Sequence, residues 1–294
     1  MAVASFMILA SAGGLYTGVT IGSAANPCGS PLDFDKSLDW EETVNGVCAL
    51  RQRLASKARG HVLETAMGTG RNIPYYRMDS LLSTPVQSDF TAKPKLYQMA
   101  SFTGIDISAD MIDIAKHKMS ERGVRIDSTS DRLQDVSRAM TQCGRDHCKV
   151  RLWQLDSQMR IPPPPLPQAT AKYDTVIQSF GLCSIDDPEL AIQMMVDAIK
   201  PVSGRIFLIE HGRGWPIINW WLDKKAVSHF RRYACWFNRD IEAIVREVST
   251  RIPGLIIQSI ERPMILHFGT LLWIELSVQP PEDLGKVSSS LDSR

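Results

Sequence analysis

His61-Val62-Leu63-Glu64-Thr65-Ala66-Met67-Gly68-Thr69-Gly70-Arg71-Asn72 is the stretch on which the reading of the chain turns. Its first half is a short apolar run with a β-branched residue, the pattern of a buried strand. Glu64 interrupts that run, and Gly68-Thr69-Gly70 then turns the chain toward a helix. Glycine serves such a turn twice. It takes positive φ at little cost, and without a Cβ it lets a ligand lie against the main chain. In a doubly wound α/β sheet this turn stands at the carboxyl end of the first strand, where nucleotide-like ligands bind. A glycine turn alone also suits a plain strand-to-helix connection, so the other walls of a pocket must come from elsewhere.

Phe102-Thr103-Gly104-Ile105-Asp106-Ile107 reads as a second strand ending in an acid, with Ser108 capping a helix through Met111, Ile112, Ile114 and Ala115. A carboxylate in that place accepts hydrogen bonds from both hydroxyls of a ribose; alone it would be an ordinary helix-capping acid. Lys149 to Leu155 reads as a third strand closing on Asp156, placed to face an adenine amino group. Tyr173 to Phe180 is the fourth strand, followed by Gly181-Leu182-Cys183-Ser184 and a helix from Asp187-Pro188 to about Lys200. Arg205 to Glu210 is the fifth, running into His211-Gly212-Arg213-Gly214, and Leu255–Glu261 and His267–Ser277 are two closing strands. Alternating strands and helices predict an α/β, Rossmann-like doubly wound sheet, mostly parallel with an antiparallel C-terminal strand.

The 294 residues suffice for one large α/β domain with appendages. A formal net charge of +1 gives no reason to expect nucleic acid or an anionic surface as the main partner. Six scattered cysteines form no disulfide-like framework and favour a reducing compartment. Cys143, His147 and Cys148 lack a second ligand pair to complete a tetrahedral site, so no metal is expected.

Ala2 to Asn26 carries no charge, and a bilayer needs roughly 20 apolar residues. Gly14, Gly18 and Gly22 line one helical face, a ridge that lets two membrane helices approach and self-associate. The expectation is a single membrane-spanning anchor over 1–26; a signal peptide or a flexible leader are the alternatives, and no basic flank fixes an orientation. A linker and amphipathic helix (27–60, helical from about Ser37 to Lys57), a domain over 61–277 and a solvated tail over 278–294 complete the expected organisation. Arg71 to Tyr76 reads as the first turns of a helix, Met78–Ala100 and Ser120–Cys148 as insertions, and Pro162–Pro165 as a stiff connector. Trp215 to Phe237, aromatic and basic, fits a lid, an interfacial segment or helices covering the sheet, and Asn238-Arg239-Asp240 opens a further helix.

With Gly-Thr-Gly after the first strand and acids after the second and third, the chain resembles class I S-adenosylmethionine-dependent methyltransferases. Further strings sharpen this: Phe180-Gly181-Leu182-Cys183-Ser184, Leu208-Ile209-Glu210-His211-Gly212-Arg213-Gly214, Cys235-Trp236-Phe237-Asn238-Arg239-Asp240 and His267-Phe268-Gly269-Thr270. They are similar to the mitochondrial inner-membrane methyltransferases of fungi known as suppressors of oxidase-assembly mutants. They also resemble the membrane-associated, methyltransferase-like thiol methyltransferases of animals. The resemblance implies S-adenosylmethionine as cofactor. Glu64, Ala66, Gly68, Thr69 and Gly70 would frame its methionine part, and Asp106 its ribose. Ile107 and Met111 would pack near the adenine, Asp156 and Ser157 would meet the adenine edge, and Ser179 and Phe180 would lie below the sulfonium. Ala66 departs from the pattern, since the loop usually has its first glycine there.

The same resemblance implies a small, lipophilic methyl acceptor, quinone-like or thiol, and a single-pass place in the mitochondrial inner membrane, with the endoplasmic reticulum membrane as alternative. No basic stripe or added binding domain points to nucleic acid. His211 and Asp240 are the candidates for a general base, with a turn residue and a helix cap as their plain structural readings; Cys183 reads as small packing at the pocket mouth. A non-catalytic assembly factor that retains the fold is the competing reading.

Overall fold

The computed structural model describes residue 42 and residues 46–82, 98–126, 149–165, 171–233, 235–263 and 267–280. The expected anchor over 2–26, the tail beyond 280, and Cys28, Cys143, His147 and Cys148 lie outside them. Among the described residues no helix is long and apolar enough to cross a membrane.

Seven strands make one sheet: β1 (Gly60–Thr65), β2 (Met99–Asp106), β3 (Val150–Gln154), β4 (Thr175–Ser179), β5 (Arg205–His211), β6 (Leu255–Glu261) and β7 (Leu271–Val278). Their order is β3-β2-β1-β4-β5-β7-β6, and β7 alone runs antiparallel to its neighbours. The chain winds outward from β1 in one direction and from β4 in the other. The carboxyl ends of β1 and β4 therefore meet where the order reverses, the crevice in which such sheets bind ligands.

Because successive side chains of a strand point to opposite faces, one strand feeds two cores. Val62, Phe102, Ile177, Phe207 and Trp273 pack under α1 (Val47–Lys57), α2 (Ala109–Glu121) and α4 (Pro216–Tyr233). Their sequence neighbours Leu63, Val176, Leu208 and Ile274, with Ile105 of β2, pack under α3 (Pro188–Ala198) and α5 (Ile241–Arg251). Three helix starts follow from local chemistry. The Ser108, Asp187 and Asp240 side chains accept the backbone N–H of Met111, Leu190 and Ala243, so each satisfies a donor that the first helical turn leaves over.

Several boundaries differ from the sequence reading. Arg71 to Tyr76 is turn and a short 3-10 segment (Ile73–Tyr75), not the start of an α-helix: Tyr76 leaves it in extended conformation. The Met78–Ala100 insertion is narrower at both ends. Met78 and Leu81 are buried around a 3-10 turn (Asp79–Leu81), and Met99 opens β2, because these apolar side chains find core on that side of the sheet. Trp215 to Phe237 covers the sheet through α4. β7 begins at Leu271 instead of His267, since Phe268 and Gly269 take positive φ in the turn before it.

Gly104 shows how tightly β2 fits below the glycine turn: a Cβ there would run into Met67 Sδ and Leu152 Cδ2. Gly104→Ala is expected to destabilise the chain by about 1–3 kcal/mol, the usual cost of overpacking a core, measured by chemical denaturation.

Candidate active site

β1 delivers Glu64 to the carboxyl edge of the sheet with only 1% of its surface exposed. Its oxygens accept hydrogen bonds from Asn72 Nδ2 and Tyr76 Oη, both at 2.8 Å. Burial drives its pKa up from 4.5 to about 7, against the lowering effect of those two bonds and of Arg51. Behind it, Arg51 from α1 donates to Asn72 Oδ1 at 2.7 Å and grips Glu42 with two bonds of 2.8 Å. Arg71 reaches the same Glu42 at 2.8 Å. Burial raises the Glu42 carboxyl, but Arg51 and Arg71 outweigh it and hold the group below its usual range.

The turn after β1 follows the glycine logic. Ala66, Gly68 and Gly70 all take positive φ, at 48°, 57° and 75°. Asp106, at the end of β2 and 3% exposed, closes the turn by accepting Gly68 N–H at 2.8 Å, while its other oxygen accepts Ser108 N–H at 2.9 Å. Its pKa is raised from 3.8 to about 6 by burial, despite these backbone donors. Each ionised carboxylate oxygen has two lone pairs, so the bonded group retains capacity to accept from a ligand.

An open pocket lies against this edge, with Ala66, Asp106, Ile107, Asp156 and Ser157 in its wall, together with Gln158 and the Ser184–Asp186 turn. Gln158 ties the wall together: it donates to Asp156 Oδ1 at 3.1 Å and accepts Asp187 N–H, the cap of α3, at 2.7 Å. Thr69 and Gly70 are buried in the turn, Met111 in the first turn of α2, and Ser179 accepts from Asn72 Nδ2 at 3.0 Å. Phe180 takes φ 58°, under the Arg51 guanidinium at 5.5 Å. The expected cofactor-site residues therefore gather at one sheet edge.

The structure does not bring the two candidate bases into that wall. Asp240 is exposed and accepts Ala243 N–H at 3.0 Å as the cap of α5. His211 is fully buried, its ring parallel to Phe237 at 6.2 Å, and burial, with His229 and His267 nearby, pushes its pKa well below the ordinary imidazole value. Cys183 is buried with its Sγ 3.1 Å from the Cys235 thiol.

Arg51, Glu42, Asn72, Tyr76, Gln158 and Glu210 were not legible as site residues. Arg51 offers a signal in retrospect: it is a charge beside Leu50 and Leu54 on the buried face of α1. Glu210 is fully buried, and its Oε1 accepts Gly181 N–H and Leu182 N–H at 3.1 and 3.2 Å. Burial, reinforced by the neighbouring Cys183, pushes its pKa well above the ordinary carboxylate value, and its two backbone bonds hold the loop after β4. Gln178 offers a further polar group: both its amide atoms are buried without a hydrogen-bond partner among the described residues, against Gly181.

Sheet order, a glycine turn after β1 and acids ending β1 and β2 define a class I methyltransferase, the class whose methyl donor is S-adenosylmethionine. Within that class, the chain belongs to the family described as a methyltransferase domain, whose model matches residues 40–248. It is 28% identical over 220 residues to a Saccharomyces cerevisiae protein named Methyltransferase OMS1, mitochondrial; the match covers 72% of this chain and 39% of the yeast protein. The chain thus spans well under half of that relative's length. In fold it is similar to a chain from the complex between the Haloferax volcanii Trm112 methyltransferase activator and a candidate methyltransferase. The TM-score is 0.53 at 12% identity, over 88% of this chain and all of that one.

Raised carboxyls have a consequence for stability. An unfolded Glu64 releases its proton near pH 4.5 and the folded one near pH 7, so stability present below 4.5 is lost as pH rises to about 7. Relative to Glu64→Gln, which cannot ionise, the ligand-free wild type should lose roughly 3 kcal/mol across that window; thermal melts of both proteins at stepped pH read it directly. Asp240→Ala should cost about 1 kcal/mol through loss of the cap, and Asp240→Asn much less.

Proposed function

We propose that this chain, tethered through residues 2–26, transfers the S-adenosylmethionine methyl group to a small lipophilic acceptor, quinone-like or thiol, at the mitochondrial inner membrane. The observation that carries the reading is the pairing of two buried acids at the ends of adjacent strands, Glu64 and Asp106, across the glycine turn. Glu64 suits an ammonium group: its two present partners are neutral donors, and its nearest cation, Arg51, is already engaged by Glu42. Asp106 stands on the pocket wall, where two ribose hydroxyls could share its oxygens, with Ile107 and Met111 beside it and Asp156 and Ser157 facing the adenine edge. The unpartnered Gln178 amide next to Ala66 and Gly181 fits a site that a polar ligand completes. The name of the yeast relative supports the mitochondrial setting; the endoplasmic reticulum membrane is the alternative, and the Gly14-Gly18-Gly22 face supports self-association of the anchor.

When bound, the cofactor would supply an electrophilic methyl group on a sulfonium, held by Glu64, Asp106 and the Gly68–Gly70 turn. Transfer of that group needs alignment and exclusion of water more than it needs acid–base groups. Glu64, Asn72 and the Gly68–Gly70 turn provide alignment at one end, and the Phe180–Ser184 loop, held by Glu210, walls the other. A thiolate or ionised hydroxyl acceptor requires no base. We therefore assign His211 to packing against Phe237 and Asp240 to the helix cap.

A second reading, a non-catalytic assembly factor, draws on Ala66, whose Cβ stands where the loop usually has glycine. Calorimetric titration with S-adenosylhomocysteine separates the two, followed by comparison of methyl-labelled metabolites in cells with and without the gene. The methyltransferase reading expects saturable binding, weakened at least about tenfold by Asp106→Ala, since two charge-assisted hydrogen bonds are lost. It also expects a labelled product that disappears with the gene. Binding without any such product would establish the assembly-factor reading.

A further inference from the structure

Among the described residues, exposed large apolar side chains concentrate on one helix: Trp215, Ile217, Trp220, Val227 and Phe230 all lie at or on α4. Its inner side is accounted for, since Ile218, Leu222 and Ala226 are in the core and His229 stacks on Phe237 at 4.2 Å. Its outer side has a different character. At 100° per residue, Ile217, Trp220, Lys224, Val227 and Arg231 fall within a sector of about 80°. Ile217 is 79% exposed, Trp220 62% and Val227 53%. No acid sits in that stripe: Asp223, at its margin, is turned to Arg213 in two bonds of 2.9 Å. Lys224 lays its Nζ over the Trp220 ring at 3.7 Å, with its charge at the surface.

From this stripe we infer that α4 lies on an anionic lipid surface, with Ile217, Trp220 and Val227 entering the headgroup boundary and Lys224 and Arg231 meeting lipid phosphates. Helices that lie in an interface carry this combination of apolar and basic residues, with indole rings at headgroup depth. The chain's small net charge does not oppose the contact, because the charge that matters lies within a Debye length of the surface. The same basic residues argue against a second copy as the occupant: a two-fold contact would set Lys224 and Arg231 against their own kind. The contact is mechanically joined to the site. Phe230 stacks on Trp236 at 4.2 Å, and Trp236 N–H donates to Cys183 O at 3.0 Å, in the loop that follows Phe180. The inference rests on α4 alone and holds whatever the methyl acceptor is.

Tryptophan fluorescence of the full chain tests it, on phosphatidylcholine vesicles with brominated acyl chains, with and without phosphatidylserine. On the anionic vesicles bromine should quench wild type more than Trp220→Phe, the difference being the Trp220 signal. Lys224→Gln with Arg231→Gln should remove most of that difference, because each charge near an anionic surface contributes about fivefold to partition. All three side chains are exposed, and unchanged melting temperatures confirm that the variants fold. Equal quenching of wild type and Trp220→Phe overturns the inference. So does a sedimenting dimer in which Trp220 is shielded from bromine and which Trp220→Ser dissociates.

Discussion

The site depends on a buried cation, Arg51, that is kept away from the Glu64 carboxyl. Arg51 is 4% exposed and can exist there only because Glu42 takes it bidentately. Its remaining donor goes to Asn72, and Asn72 in turn donates to Glu64. That spacing matters electrostatically. Direct pairing of Arg51 with Glu64 would hold the carboxylate ionised and occupy its acceptor positions; with an amide between them, burial wins and the pKa rises to about 7. A ligand cation can then supply the charge the group lacks. The same chain of bonds fixes the turn, since Asn72 and Tyr76 both reach back to Glu64 from residues following Gly70.

How much of this the sequence discloses depends on the range of each interaction. The strands were legible because parallel strands buried on both faces are short apolar runs, and each ends near a polar or turn residue. The cap Ser108 was legible because a cap acts over three residues. The Glu42–Arg51–Asn72–Glu64 network was not, since it joins α1, the turn and β1 across the fold. Asp240 shows the ambiguity of a local reading: one acid at one position suited both a base and a cap, and only the bond to Ala243 decides what it does here.

The loop after β4 raises a related point. Glu210, near the carboxyl end of the neighbouring strand β5, holds Gly181 and Leu182 by accepting both their N–H groups. The strand-and-helix pattern said only that a loop follows Phe180. Its shape comes from tertiary partners, and so does the positive φ of Phe180, a conformation that costs a side-chain-bearing residue on the order of 1–2 kcal/mol.

Ala66 carries that cost as well, at φ 48°, and it is where the loop departs from the glycine pattern. The methyl group has two consequences to absorb, strain and volume. Strain is met by the surrounding bonds: Met67 N–H to Ile105 O on one side, and the Asp106 clasp on Gly68 N–H on the other, hold the turn whatever residue 66 prefers. Volume is met across the gap. Gly181 faces Ala66 so closely that a Cβ on it would stand 2.9 Å from the Ala66 methyl, tighter than real carbons approach. Only one of the two positions can bear a side chain. The glycine that β1's turn gives up is kept by the loop after β4, so the backbone path past the pocket wall survives the exchange and the departure at residue 66 does not by itself close the site.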